Sequence, residues 1–123
     1  MRNSDSLADK RCVPCRGGVP PLEGQSLDSL MKRLGTQWTL VDDHHLEREF
    51  GFRNFREALA FTNQVGEIAE AEGHHPELTT TWGKVTVRIW THKVDGLTES
   101  DFVLAAKAQR AFDAGQSVPG ADA

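Results

Sequence analysis

Apolar residues recur every three or four positions in three stretches of the chain, and this spacing predicts three helices. The strongest pattern covers 54–72. Asn54 is a candidate N-cap residue, and Glu57 follows three positions later, as in a capping box. Gly73 and Pro76 are typical of a helix end. The sequence therefore predicts a long helix that stops directly before a pair of histidines.

Two further helices are predicted, one before and one after the long helix in the sequence. The first is expected to be capped by Ser26 and to end at Gly35. The last is expected to open with the capping-box sequence 98–101 and to end at Gly115. Both carry a single apolar stripe, which predicts that each packs one face against a core.

Alternating apolar and polar residues predict four strands. In the last of them, His92 shares a face with Arg88 and Trp90, opposite the valines and the isoleucine. Two hairpins, each followed by a helix, predict an α+β fold in which a four-stranded antiparallel sheet carries helices on one face, a two-layer sandwich. The predicted strands cover residues 38–41, 46–52, 78–82 and 85–92.

Length and charge limit the classes of protein and partner. The 123 residues suit one domain. Fourteen Lys and Arg against eighteen Asp and Glu, with no basic run, disfavour a nucleic-acid partner. No apolar stretch approaches the ~18 residues of a membrane span, and the start lacks the apolar region of a secretory signal. We therefore expect a cytoplasmic protein without a membrane partner.

Polar segments precede and follow the predicted domain. Residues 1–24 are expected to be a flexible leader, 25–114 the domain and 115–123 a disordered tail. The leader contains the only cysteines, Cys12 and Cys15, in a C-x-x-C spacing. A zinc site needs four ligands, and a thioredoxin-like motif lies between a strand and a helix, so two reduced thiols are favoured. Metal clamping and redox chemistry stay open.

Five histidines are many for this length, and four of them form adjacent pairs. His44 and His45 follow two aspartates in a predicted hairpin turn, which favours a solvated turn.

His74 and His75 directly follow the long helix, where unpaired carbonyls favour an imidazolium. Glu70 lies one turn before His74 and is placed to accept a hydrogen bond from it. A tuned histidine of this kind suits general acid–base catalysis. Two alternatives stay open: a helix C-cap without chemistry, and metal binding by these residues together with His92.

Seven residues stand in a fixed spacing over 32 positions of the chain: Glu70, His74, His75, Pro76, Trp82, His92 and Asp101. In this spacing they resemble the signature of the pterin-4a-carbinolamine dehydratases. The resemblance covers about residues 22–113, and the leader resembles that of some bacterial members. It implies the fold predicted above, assembled as a homodimer or homotetramer.

The activity that the resemblance implies is loss of water from 4a-hydroxytetrahydropterin, which gives quinonoid dihydropterin. This step recycles pterin for aromatic amino acid hydroxylation and implies a functional link to phenylalanine hydroxylase. One proton must reach the leaving hydroxyl and one must leave N5, so two acid–base groups suffice and no metal or cofactor is expected. By resemblance, His74 and His92 transfer the protons, His75 binds or orients the pterin, and Glu70 positions His74.

For the remaining signature residues, a role in catalysis or substrate binding is less strongly indicated. Pro76 is structural and lies beside the substrate-binding His75. Trp82 is either a stacking surface for the flat pterin or a core residue, and Asp101 is either only the third helical residue or a catalytic one.

A second class of function also fits the resemblance. Relatives of this fold serve as a dimerisation cofactor for a homeodomain transcription factor, or as assembly factors for a carbon-fixing carboxylase. A non-enzymatic partner protein is therefore the alternative to a dehydratase. A metal hydrolase is a third class, which predicts sensitivity to chelators.

Overall fold

The computed structural model describes residues 6–13 and 20–116, in which a four-stranded antiparallel sheet carries helices on one face. The predicted α+β class is confirmed. The strand order is β1-β2-β4-β3, so both hairpins of the sequence pair as expected. The elements are α1 (Gln25–Leu34), β1 (Thr39–Val41), β2 (His45–Gly51), α2 (Phe55–Glu72), β3 (Glu77–Thr81), β4 (Lys84–Ile89) and α3 (Glu99–Gln116).

The ends of α2 are determined by local chemistry. Asn54 Oδ1 accepts a hydrogen bond of 2.9 Å from the Glu57 N–H, which satisfies one free donor of the first turn. At the other end Gly73 adopts a left-handed conformation with φ 67°, a conformation that suits glycine. The His74 N–H then donates to the Ala69 carbonyl at 3.2 Å, which directs the chain away from the helix axis.

The core lies between the sheet and the helices. Leu46 and Phe50 of β2 pair across the sheet with Ile89 and Val85 of β4, and all four are buried. Their neighbours along each strand point to the opposite face, as the period of two requires. The face of the sheet that carries Arg88 and Trp90 is only partly covered.

Two helix boundaries differ from the sequence prediction. The N-cap of α1 is Gly24, not Ser26, because Gly24 takes a positive φ of 61° and the helix begins directly after it. The helix α3 continues through Gly115 to Gln116, since one glycine in a last turn lowers helix propensity without forcing a stop.

Residues 6–13, predicted to be part of a flexible leader, pack onto α3. Leu7 and Ala8 form a short 3₁₀ turn with Asp9, and Leu7 is only 4% exposed. Lys107 of α3 donates to the Ala8 carbonyl at 2.9 Å. For this part of the leader the prediction is wrong, because two buried apolar residues, Leu7 and Ala8, and several hydrogen bonds anchor it. Cys15 and the tail beyond residue 116 lie outside the described residues.

Candidate active site

His74 is held by a buried carboxylate. Its Nε2 atom lies 2.5 Å from Oδ1 of Asp101, and the Asp101 side chain is fully buried while that of His74 is 14% exposed. Because a carboxylate only accepts hydrogen bonds, Nε2 of His74 carries the hydrogen. The second ring nitrogen, Nδ1, is then the one that remains for chemistry.

The other oxygen of Asp101 is used by the fold. Asp101 is the third residue of α3, and its Oδ2 accepts from the Thr98 N–H at 2.8 Å, which is half of the predicted capping box. The Thr91 hydroxyl donates to the same oxygen at 2.7 Å. These two donors fix the carboxylate plane, so that Oδ1 faces His74.

Glu70 contacts His75, not His74. Its Oε2 atom lies 2.6 Å from Nε2 of His75. The expected hydrogen bond from His74 is therefore wrong. The left-handed Gly73 interrupts the helix before His74, so the i,i+4 relationship no longer applies there.

His92 lies just beyond β4, and its ring stacks on Trp90. The two ring centroids are 4.5 Å apart with an interplanar angle of 24°. The residue between them, Thr91, points to the helix side of the strand, where it meets Asp101. Through Thr91, the His74–Asp101 pair is therefore connected to the residue that directly precedes His92.

His44 and His45 do not form a solvated turn. Both rings pack against Trp90, at centroid distances of 5.3 and 5.7 Å, and both are half-buried. The Nε2 atom of His44 lies 2.8 Å from Oδ1 of Asp95, in the turn that follows His92. The solvated-turn prediction is wrong because pairing of β2 with β4 brings the first hairpin turn beside the end of β4.

The histidines thus form three groups: His74 with His75, His44 with His45, and His92 by itself. His74 and His75 are consecutive, and Asp101 joins His74 to Thr91, the residue before His92. Among residues 6–13 and 20–116, no direct hydrogen bond or ring contact joins His74 to His92.

The end of α2 carries a second buried carboxylate, that of Glu72. Burial raises the pKa of Glu72, but the Cys12 N–H at 2.8 Å and the cations of Lys107 and Arg11 outweigh it and lower the pKa below its ordinary value. Glu72 is therefore ionised and attaches the leader two residues before His74.

Comparison with known proteins assigns the family. The sequence pattern described as pterin 4 alpha carbinolamine dehydratase matches residues 20–111, which is most of the chain. The chain belongs to the pterin-4-alpha-carbinolamine dehydratase family. By family it is an enzyme of the hydro-lyase class.

Relatives within the dehydratase family are close. A protein of Rubrobacter xylanophilus named after this dehydratase is 59% identical over 85% of this chain and 96% of its own. One from Alkaliphilus metalliredigens is 51% identical over 86% of this chain and 96% of its own. A crystal structure from Brucella melitensis, described as a transcriptional coactivator/pterin dehydratase, is 31% identical with a TM-score of 0.67, covering 73% of this chain and 96% of the other.

Two signature residues of the dehydratase family, Trp82 and Pro76, take no part in these histidine–carboxylate pairs. Trp82 is 70% exposed in the turn after β3, so the core alternative for Trp82 is wrong. The extended β3 separates Trp82 from Pro76 by about 20 Å. Pro76 connects His75 to β3 and lies beside the histidines. A substrate-binding role stays a prediction for both.

Several residues of the site were not identified from the sequence. Thr91, Asp95 and Trp90 hold or touch the histidines, and only the strand alternation, which puts Trp90 on the face of His92, pointed to one of them. Within the described ranges, no cluster of three or more His, Cys, Asp or Glu is placed to hold a metal ion. None of the helices in that part of the chain combines the length and apolarity of a membrane span.

Proposed function

We propose that this protein dehydrates 4a-hydroxytetrahydropterin to quinonoid dihydropterin, with His74 and His92 as the proton-transfer groups. The observation that carries the proposal is the 2.5 Å contact between Nε2 of His74 and the buried carboxylate of Asp101. A histidine backed by a carboxylate is a common arrangement for a general base, because the carboxylate stabilises the imidazolium that forms.

The reaction needs two proton movements. Nδ1 of His74 takes the proton from N5 of the pterin, and His92 gives a proton to the 4a-hydroxyl as the C4a–O bond breaks. Water leaves, and the electron pair of the N5–H bond forms the new double bond. Carbinolamines lose water unaided, and general acid–base catalysis supplies about 10²–10⁴-fold, which is sufficient for this step.

His75 and Glu70 are proposed to bind the pterin. Their 2.6 Å pair is well exposed beside His74, with side-chain exposures of 61% and 76%. Because this ion pair is exposed, His75 or Glu70 can replace its partner with a polar edge of the substrate at a small cost in free energy. Pro76 fixes the exit direction of the backbone and keeps His75 beside His74.

The decisive experiment measures dehydration of a carbinolamine generated in solution, with and without the protein. We expect acceleration, with most of it lost in His74→Ala and in His92→Ala. Asn63→Ala, an exposed substitution in the middle of α2, is the control and retains it. The absence of any acceleration over the spontaneous rate contradicts the proposal.

Assembly and cellular role follow from the same proposal. We expect a cytoplasmic homodimer or homotetramer that recycles pterin for an aromatic amino acid hydroxylase such as phenylalanine hydroxylase. The exposed Phe55 and Leu59, one turn apart on α2, form an apolar stripe that supports self-association. Light scattering of the double variant Phe55→Ser/Leu59→Ser tests this, and an unchanged mass contradicts it.

A partner role is the second candidate, favoured by the description of the Brucella melitensis neighbour as a coactivator. Binding to a protein partner does not need proton transfer. In that case His74→Ala and His92→Ala leave cellular function intact while dehydration is lost.

A further inference from the structure

The backbone around His92 is well ordered by hydrogen bonds, yet its ring is exposed. Thr91 and Gly96 exchange two backbone hydrogen bonds of 2.8 and 3.3 Å, which close the turn that contains His92. Within the described part of the chain, no hydrogen bond reaches the imidazole of His92. The contact that restricts this ring is its stack on Trp90.

Trp90 also contacts two further histidines. The rings of His44 and His45 lie against it at interplanar angles of 44° and 53°, so three imidazoles contact the indole. The two histidines also contact each other, with Nδ1 atoms 3.1 Å apart. One hydrogen must lie between those nitrogens, so one ring donates and the other accepts, which fixes both orientations.

His44 also connects the two turns. Its Nε2 atom lies 2.8 Å from Oδ1 of Asp95, three residues after His92. Asp95 adopts a positive φ of 53°, in the left-handed region that glycine, asparagine and aspartate tolerate best. Its contact with His44 stabilises the turn in this conformation.

We infer that Trp90 is a positioning residue for His92, and that His44 and Asp95 support it by holding the turn. None of the three belongs to the signature residues. Proton transfer needs a donor and an acceptor within about 2.6–3.2 Å. An exposed imidazole without partners samples several rotamers, and stacking selects one of them. The inference rests on the proposed role of His92.

Trp90→Leu removes the stacking surface and Trp90→Phe keeps a ring. We expect kcat to fall about tenfold in Trp90→Leu, with KM within about twofold, and to recover in Trp90→Phe. Asn63→Ala, an exposed substitution in the middle of α2, is the control and should leave kcat and KM unchanged.

A double-mutant cycle separates positioning from direct contact with the substrate. In a His92→Ala background, Trp90→Leu should cause no further loss of kcat, because its effect passes through His92. An equal loss in both backgrounds, or a raised KM with unchanged kcat, overturns the inference.

A second measurement does not depend on activity. The indole ring current should shift the His92 ring-proton signals upfield in the nuclear magnetic resonance spectrum, and Trp90→Leu should remove that shift. If His92→Ala is fully active, the proposed function fails but this shift can still be observed. If His92→Ala is inactive and Trp90→Leu is unaffected, only the inference fails.

Two substitutions of Asp95, one conservative and one not, test whether the turn supports Trp90 and His92. Asp95→Asn keeps an acceptor for His44 and tolerates the positive φ, so it should retain kcat. Asp95→Ala loses the acceptor and should lower kcat about threefold. Equal kcat values in the two variants contradict the supporting role of the His44–Asp95 contact.

Discussion

Asp101 orients His74 and caps α3 with the same carboxylate: Oδ1 lies 2.5 Å from Nε2 of His74, and Oδ2 accepts from Thr98 and Thr91. The group is fully buried, and these donors and the N-terminal turn of α3 compensate its charge. The orientation of His74 and the start of α3 therefore depend on one side chain.

Asp101→Asn should separate the two roles. The amide oxygen still accepts from Thr91 and Thr98, so the amide NH₂ must face His74. Nε2 of His74 then has to accept, which places the hydrogen on Nδ1 and removes the base. We expect kcat for dehydration to fall about 10²-fold, with a change in unfolding free energy below about 1 kcal/mol.

Asp101→Ala is the matched comparison. It removes the acceptor of three donors, the Thr98 N–H, the Thr91 hydroxyl and Nε2–H of His74, and should cost about 2–3 kcal/mol of stability in addition to activity. Chemical denaturation and steady-state kinetics of both variants measure the two effects. If Asp101→Asn keeps wild-type kcat, the carboxylate does not determine the tautomer of His74.

Glu70→Ala tests whether Glu70 serves His75 or His74. Because Glu70 contacts His75 at an exposed position, we expect KM to rise about two- to threefold and kcat to stay unchanged. Thermal unfolding should barely change. A loss of kcat as large as that of His74→Ala would show instead that Glu70 acts through His74.

Leu7→Ala should destabilise the domain although Leu7 precedes the matched family region. Leu7 is 4% exposed within the core cluster, and truncation of a buried leucine costs about 2 kcal/mol or more. Val13→Ala, at a residue of the same segment that is 66% exposed, should change the unfolding free energy by less than about 0.5 kcal/mol. Equal effects in urea denaturation would mean that the segment is not anchored by Leu7.

Cys12 should be unreactive in the folded protein. Burial, followed by the negative charge of Glu72, raises the pKa of its thiol from 9.0 to about 12. In a Cys15→Ser background, we expect slow alkylation by iodoacetamide at pH 8 that accelerates on addition of urea. Alkylation at the rate of a free thiol in native buffer would contradict this.

The same pKa shift predicts an alkaline loss of stability. The folded state keeps the Cys12 proton that the unfolded chain releases, so stability is unaffected below pH 9 and falls between about pH 9 and pH 12. Urea denaturation at several pH values should show a steeper alkaline decline for Cys15→Ser than for Cys12→Ala/Cys15→Ser. Parallel declines would rule out a Cys12 contribution.

Local chemistry made part of this structure predictable. Asn54 and Glu57 cap α2 as expected, because a capping box depends only on residues three apart. The partner of His74 was not predictable from helix geometry, since Gly73 turns the chain and Asp101 lies 27 residues away. Spacing placed Asp101 in the signature, but the contact that gives it a role is tertiary.

The two histidines of the first hairpin show the limit of reasoning from local sequence. His44 and His45 follow two aspartates, and that neighbourhood favours solvent exposure. Their burial against Trp90 arises from the pairing of β2 with β4, which joins residues more than forty positions apart. Leu7 escaped detection for a similar reason, because its partners lie on α3.

Three histidine–carboxylate pairs, His74–Asp101, His75–Glu70 and His44–Asp95, differ in their exposure to solvent, which makes ionic strength a tool for separating them. His74–Asp101 is almost enclosed by protein, whereas His75–Glu70 and His44–Asp95 each have an acidic side chain that is more than 70% exposed. Dissolved ions screen exposed charges over about 8 Å at physiological ionic strength and reach enclosed ones far less. Added salt therefore loosens the outer two pairs while the inner one persists, so a simple salt series can perturb the periphery of the site without any substitution.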